Sequence, residues 1–183
     1  GLIQKYSGRL GWWVSEKDAG PAAALNKGFG HATGRILGWL NGGDRLAPGS
    51  LFTVGQPFLL HDVNMVVGRC ARVPPRQILP QRLHRSVLPL DQIVTLPLDQ
   101  LLDLDHGWLQ GRFFIQPEVF FTRDILGRAG GRLREELAYG MDYDLWLRMA
   151  RAAARVRALP EVLAIFRPHE QRRTGDDDPA YLA

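Results

Sequence analysis

Apolar residues in this chain occur either in short continuous runs or at the spacing of a helix face. The continuous runs are typical of buried strands and occupy residues 10–14, 36–40, 64–68, 119–121 and 162–166. Helical spacing begins at Pro21, which suits a first helical turn, and stops at Gly34. It returns over residues 48–60, 98–105 and 142–154. This alternation predicts an α/β fold in which helices cover the faces of a sheet.

Some segments carry more specific expectations. Residues 36–40 have no polar interruption, which predicts a central parallel strand. Pro57 is expected to break or kink the helix near its end. Residues 74–97 are rich in proline and weakly periodic, so they cover a cleft, move, or contain a hairpin. Residues 176–183, which begin with three aspartates, are expected to form an acidic, solvated tail behind a domain over residues 1–175.

Composition excludes several classes of protein. The 183 residues fit one domain, and 45% hydrophobic with 23% charged residues exclude a chain that is disordered throughout. No apolar run approaches the roughly 18 residues that span a bilayer. The single cysteine, Cys70, has no intrachain partner for a disulfide, which fits a reducing compartment. We therefore expect a cytoplasmic location, with the inner face of the membrane as a further option.

The formal net charge of +4 favours anionic partners such as phosphorylated small molecules or anionic lipid. The arginines are scattered along the chain, without the aromatic, glycine or zinc-ligand patterns of nucleic-acid recognition. No nucleic-acid partner is therefore expected.

Two polar clusters follow predicted strands. Residues 15–20 lead into the N-terminus of a predicted helix, which favours phosphate through its free N–H groups and its dipole. Residues 41–44, Asn-Gly-Gly-Asp, follow the strand predicted over residues 36–40. Ligands of open α/β sheets collect at the carboxyl ends of strands. On spacing alone, ordinary loop polarity explains the first cluster better than a ligand site does, and an Asn/Gly/Asp turn explains the second.

Five segments taken together resemble one known family. They read Ser-Glu-Lys-Asp-Ala-Gly-Pro-Ala-Ala-Ala-Leu-Asn-Lys-Gly-Phe (15–29), Ala-Thr-Gly-Arg-Ile-Leu-Gly-Trp-Leu-Asn (32–41), Gln-Pro-Glu-Val-Phe-Phe (116–121), Met-Asp-Tyr-Asp-Leu-Trp-Leu-Arg (141–148) and Phe-Arg-Pro-His (166–169). In this order they resemble the family 2 inverting glycosyltransferases of GT-A fold. The resemblance implies a GT-A-like (Rossmann-like) mixed sheet flanked by helices.

The resemblance also implies a reaction, in which a sugar passes from a nucleotide-diphosphate donor to an acceptor hydroxyl with inversion. Asp142 lies at the family's catalytic-base position, where it would deprotonate the acceptor. Its alternative role is that of a helix N-cap. Asp144 is better explained as first-turn charge that complements the helix dipole, and Arg148 as a solvated helix arginine.

The same resemblance implies a donor site and a metal. The positions that match the family's nucleotide-sugar-binding residues are Asp18, Gly20, Asn26, Lys27, Asn41 and Asp44. Asp44 and His169 would hold Mg²⁺ or Mn²⁺, although Gly43 stands where the family has another carboxylate. Simpler alternatives stay open: Lys27 as a solvated helix lysine, Asp18 and Gly20 as parts of a turn, and His169 as a surface histidine.

The family's opening strand–helix–strand unit has no counterpart before Leu10, so the chain enters the pattern partway, as if truncated at its N-terminus. From this we expect weak donor binding by this chain alone and self-association through an uncovered sheet edge. The alternative function is a non-catalytic, degenerate glycosyltransferase-like binding module. A metal-dependent phosphohydrolase would need a denser set of ligands. The acceptor would be a saccharide, as in polysaccharide biosynthesis, or a lipid-linked molecule at an anionic membrane that residues 96–104 contact peripherally.

Overall fold

A computed structural model describes residues 2–73, 80, 82–84, 86–108, 110, 112, 114–137 and 139–167. Its helices are α1 (Leu2–Tyr6), α2 (Pro21–His31), α3 (Ser50–Leu60), α4 (Leu98–Leu102), α5 (Arg123–Arg128) and α6 (Met141–Arg151). Short turns of 3₁₀ geometry span Ser7–Arg9 and Gln116–Glu118, and a π-helical turn spans Leu104–Trp108. None of the helices in this described part has the length and hydrophobicity that a membrane span requires.

Within the described residues, the strands form one seven-stranded mixed sheet. They are β1 (Ile36–Leu37), β2 (Arg45–Leu46), β3 (Met65–Arg72), β4 (Arg82–His84), β5 (Ile93–Thr95), β6 (Val119–Thr122) and β7 (Arg155–Phe166). The main order is β1-β6-β3-β7-β2, with β4 paired to β3 and β5 paired to β7. Strands β3 and β7 run parallel, whereas the other named pairs are antiparallel. The predicted mixed α/β sheet flanked by helices is therefore confirmed.

Helices cover both faces of this sheet. Met65 and Val67 of β3 belong to the larger core on one face, together with residues of α2 and α6. Val66 points to the opposite face, as alternation along a strand requires, and joins the core beneath α3. The larger core includes a cluster of aromatic rings, in which Trp39 stacks on Trp146 with ring centroids 5.7 Å apart.

The strand predicted over residues 36–40 is wrong in its position and direction. β1 contains two residues, lies at the end of the main strand order and runs antiparallel to β6. The apolar run has another explanation: Leu37 and Trp39 pack into the core although they do not belong to a central strand. Gly38 permits this close packing, since a Cβ atom there would lie 2.8 Å from the Phe120 ring.

The strand predicted over residues 10–14 is also wrong, because the structure assigns no strand to this described segment. Trp12 and Trp13 are each 40% exposed. Trp12 stacks on His31, with ring centroids 4.0 Å apart, so it packs on the end of α2 rather than inside a sheet.

Smaller differences concern helix ends and the proline-rich segment. Pro57 does not break α3, because it lies in the last turn and its carbonyl accepts the N–H of His61 at 3.0 Å. β4 and β5 both lie within residues 74–97 but pair with β3 and β7 rather than as a hairpin. The predicted tail over residues 176–183 lies outside the described residues.

Candidate active site

Asp142 lies in the first turn of α6. Gly140, with φ at 67°, is the residue that caps this helix, so the alternative role of Asp142 as N-cap is wrong. The carboxylate is half-buried, and its Oδ1 accepts the backbone N–H of Tyr143 at 2.9 Å. Burial raises the pKa of the Asp142 carboxyl. A carboxylate with a raised pKa is a stronger base, which is the property that deprotonation of a hydroxyl needs.

The start of α6 is held in place by its neighbours. The Tyr143 hydroxyl donates to the carbonyl of Leu101 at the end of α4, at 2.6 Å. Because Tyr143 directly follows Asp142, this bond restricts where the Asp142 carboxylate can lie.

Arg148 is not the solvated helix arginine that the sequence predicted. Its side chain is 17% exposed, and its guanidinium pairs with Asp144 at 2.8 Å, one helical turn earlier. It also donates to the carbonyls of Ala129 and Arg132. Asp144 additionally pairs with Arg134 at 3.3 Å. Arg148 and Asp144 therefore connect the segment before α6 to the helix.

Lys27 connects α2 to the polar loop before it. Its ammonium lies 2.5 Å from a carboxylate oxygen of Glu16 and contacts the carboxylate of Asp18. Hydrogen bonds to Asp18 and Glu16 raise the pKa of Lys27 to about 12. The lysine is thus partly exposed but paired, and it links Asp18, which lies before α2, to the second half of that helix.

Asn26 uses its whole amide in contacts within the protein. Its Oδ1 accepts the N–H of Leu133 at 2.8 Å, while Nδ2 donates to the Leu133 carbonyl at 2.9 Å and to Glu135 at 2.9 Å. The predicted role of Asn26 in donor binding stays a prediction. The contacts that the structure places here join α2 to the loop leading to α6.

Gly20 caps α2 with an extended backbone, at φ 168°, that any residue can adopt. A Cβ atom at this position would have no neighbour within 4 Å. Neither the backbone nor the packing explains the glycine, which leaves open space at the N-terminus of α2.

The loop over residues 41–44 is a turn in which the Asp44 N–H donates to the Asn41 carbonyl at 3.1 Å. Gly43 has φ at 99°, a conformation that favours glycine. The backbone conformation of the turn therefore accounts for a glycine, rather than a carboxylate residue, at position 43. Asp44 is half-buried, and its Oδ1 accepts the N–H of Arg167 at 3.2 Å.

The described residues do not complete a metal site. Within them, no group of three or more His, Cys, Asp or Glu side chains is placed to hold a metal ion. Asp44 is the predicted ligand that the structure places, and His169 lies outside the described residues.

Two buried polar residues were not singled out by the sequence. Gln116 donates from Nε2 to the carbonyl of Trp39, and its Oε1 accepts Nδ2 of Asn41 at 3.0 Å. The Gln-Pro motif was a signal for this residue, although not for its contacts. Glu118, which is fully buried, pairs with His84 Nδ1 at 2.8 Å. Burial raises the pKa of Glu118, and the hydrogen bond with His84 opposes that effect.

An apolar groove of about 440 Å³ runs beside β1. It is lined by residues of the 36–40 segment together with Leu46, Leu51, Val54 and Phe120. Its lining therefore comes from β1, β2, β6 and α3, on the face of the sheet that α3 covers.

Known structures of one protein share this arrangement. The structure of S. aureus TarS 1–349 in complex with UDP-GlcNAc matches with a TM-score of 0.68 and 17% sequence identity, covering 93% of this chain and 46% of that chain. The same TarS fragment with UDP gives a TM-score of 0.66 at 17% identity, covering 91% and 46%. A further S. aureus TarS structure gives 0.67 at 17% identity, covering 91% of this chain and 28% of that chain.

TarS is a glycosyltransferase of GT-A type, and the likeness gives this chain the GT-A fold that the sequence predicted. The chain spans less than half the length of the TarS chains it matches. No protein-family profile and no curated protein matches the sequence.

Proposed function

We propose that this chain is a glycosyltransferase domain that moves a sugar from a nucleotide-diphosphate donor to an acceptor hydroxyl with inversion at the anomeric carbon. The observation that carries the proposal is Asp142, a half-buried carboxylate with a raised pKa in the first turn of α6 of a GT-A fold. It supports the role of catalytic base that the family resemblance implies.

The reaction assigns one step to Asp142. Its carboxylate takes the proton of the acceptor hydroxyl while the hydroxyl oxygen bonds to the anomeric carbon. The bond from that carbon to the donor phosphate oxygen breaks, and the nucleoside diphosphate leaves with the electron pair. Attack opposite the leaving group inverts the anomeric configuration.

The proposed donor is a UDP-sugar, because the similar TarS structures hold UDP-GlcNAc and UDP. Asn41 and Asp44 would contact it from the loop after β1. Gly20 leaves room for it at the N-terminus of α2, where free N–H groups attract phosphate. Lys27 would keep Asp18 in place beside the donor, and Asn26 would act through the loop that it fixes.

Mg²⁺ or Mn²⁺ stays a hypothesis, with Asp44 and His169 as ligands. Asp44 supplies the hard carboxylate oxygen that such cations prefer. The described residues form no complete ligand set, so we derive no step of the reaction through the metal.

A thermal-shift panel of nucleoside diphosphates, with and without Mn²⁺, tests the proposal. We expect UDP to raise the Tm because a ligand that binds the folded state stabilises it by mass action. Uridine and inorganic phosphate are the matched controls. No shift with any nucleoside diphosphate, at concentrations up to the millimolar range, would contradict the proposal.

Gly43 favours a second candidate, a degenerate binding module. Its φ of 99° is a conformation that favours glycine, so the turn is adapted to a residue without a carboxylate. The two candidates differ in one measurement. An enzyme hydrolyses or transfers the bound donor and loses that activity in Asp142→Asn, whereas a module binds the donor without turnover.

The acceptor is proposed to be a saccharide or a lipid-linked molecule, met at the cytoplasmic face of the membrane. Within residues 96–104, Leu96 and Leu101 belong to the core, whereas Leu102 is 57% and Leu104 48% exposed. Leu102 and Leu104 are therefore the leucines proposed for peripheral contact. Self-association is proposed at the apolar groove beside β1, and sedimentation velocity over a range of concentrations tests it.

A further inference from the structure

Gln116 is a buried amide that contacts two residues of the segment after β1. Its Nε2 donates to the backbone carbonyl of Trp39, and its Oε1 lies 3.0 Å from Nδ2 of Asn41. The residue is 6% exposed, whereas Asn41 is at the surface. Gln116 therefore reaches from the core to the loop where the donor is proposed to bind.

The chemistry of these contacts fixes the direction of both amides. A backbone carbonyl only accepts hydrogen bonds, so the group that Gln116 turns toward Trp39 must be its NH₂. Its oxygen then faces Asn41 and needs a donor, which is the Asn41 NH₂. The carbonyl oxygen Oδ1 of Asn41 is consequently directed away from Gln116.

Gln116 is itself held firmly. It opens the turn Gln116–Glu118, in which the Glu118 carboxylate accepts the N–H of Ile115 at 2.9 Å. The same carboxylate oxygen pairs with His84 of β4 at 2.8 Å. Trp39, the other contact of Gln116, stacks on Trp146 of α6, the helix that carries Asp142 in its first turn. The Asn41 amide is thus connected to the core and to α6.

We propose that Gln116 is a positioning residue of the nucleotide-sugar site, which fixes the Asn41 amide so that Oδ1 accepts a hydrogen bond from a hydroxyl group of the donor. The inference rests on the proposed function. Among the described residues, no donor is placed against the Asn41 Oδ1, which leaves this oxygen for a ligand. An acceptor oxygen selects a hydroxyl of the ribose or of the sugar rather than a phosphate oxygen.

A double-mutant cycle tests this role. The variants are Asn41→Ala, Gln116→Met and both together, and the readout is the Kd for UDP-GlcNAc from titration calorimetry or ligand-detected NMR. Gln92→Met, at an exposed position, is the matched control. We expect Gln116→Met to weaken binding about fivefold to tenfold, the usual effect of one lost hydrogen bond. In the Asn41→Ala background the same substitution should have almost no further effect.

A second measurement uses the unsubstituted chain and does not depend on the folding of a variant. Hydrogen exchange of the Asn41 side-chain NH₂, followed by NMR, should be slowed because one of its protons is bonded to Gln116.

The outcomes separate this inference from the proposed function. If the chain binds no nucleotide-sugar of a panel that includes UDP-GlcNAc, the proposed function fails and this role in the site fails with it, whatever the exchange data show. If the chain binds UDP-GlcNAc but the Asn41 protons exchange freely, or the two substitutions are additive, only the positioning role is overturned. Slow exchange together with non-additive losses supports it.

Discussion

Asp142 is the proposed catalytic base. Asp142→Asn removes the base but keeps the size of the side chain and its position in the first turn of α6. Turnover of the donor should fall about 10²-fold or more, while the Tm changes little. Asp124→Asn, at an exposed position of α5, is the control and should keep full activity. Near-normal turnover by a folded Asp142→Asn protein would exclude Asp142 as the base.

Burial of Asp142 also predicts a pH dependence. A base acts when it is deprotonated, so activity should fall as the pH decreases through the pKa of Asp142. Because burial raises that pKa, the acid limb of the kcat profile should lie above the ordinary aspartate range of about 4. The profile of donor hydrolysis between about pH 4 and 8 measures this limb. An acid limb at or below pH 4 would argue for another base.

Gly43 leads to a prediction about the metal. One carboxylate fewer lowers the affinity for a divalent cation, so Mn²⁺ should bind weakly even when UDP is present. Calorimetric titration of Mn²⁺ into the chain with UDP gives the Kd. Tight binding that Asp44→Ala abolishes would show that Asp44 alone provides a sufficient protein carboxylate.

At the scale of elements, Asn26 joins α2 to the loop that leads into α6. Asn26→Ala leaves both the N–H and the carbonyl of Leu133 without their side-chain partner. We expect the free energy of unfolding to fall by about 1–3 kcal/mol, the effect of unpaired buried polar groups. Urea denaturation measures it, with Gln100→Ala on the exposed side of α4 as control. An unchanged midpoint would mean that this pairing does not hold the loop.

The helices were more predictable than the strands. Helical spacing located α2 and α6 because an amphipathic helix carries its own pattern, independent of the rest of the chain. A short apolar run is less informative, because it does not show whether the segment pairs with other strands or packs against a helix. Residues 36–40 and 10–14 were both assigned to strands, but one forms a short sheet end and the other packs on α2.

The candidate site shows the same limit. Asp142 and Asp44 could be found from motifs, because each lies within a recognisable local pattern. The contacts between Asn26 and Leu133, and between Gln116 and Asn41, join residues far apart in sequence. The sequence around a single amide does not indicate which distant residue it contacts, so these contacts could be identified only from the structure.

The whole molecule is a mixed sheet of GT-A type with helices on both faces, and its proposed site combines residues from the loop after β1 and from the start of α6. The stack of Trp39 on Trp146 joins these two regions through the core. The proposed nucleotide binding should therefore depend on the assembled fold, and we expect it to be lost on unfolding rather than to persist in a peptide of residues 15–44.

Saturation-transfer NMR with UDP-GlcNAc tests the central claim most directly, because it detects weak as well as tight binding to the folded chain. We predict transfer to the protons of the uridine and of the sugar, and its loss when excess UDP competes for the same site. Absence of transfer to UDP-GlcNAc and to every other nucleotide-sugar in a panel, with the protein folded, would contradict the assignment of this chain as a nucleotide-sugar-dependent glycosyltransferase domain.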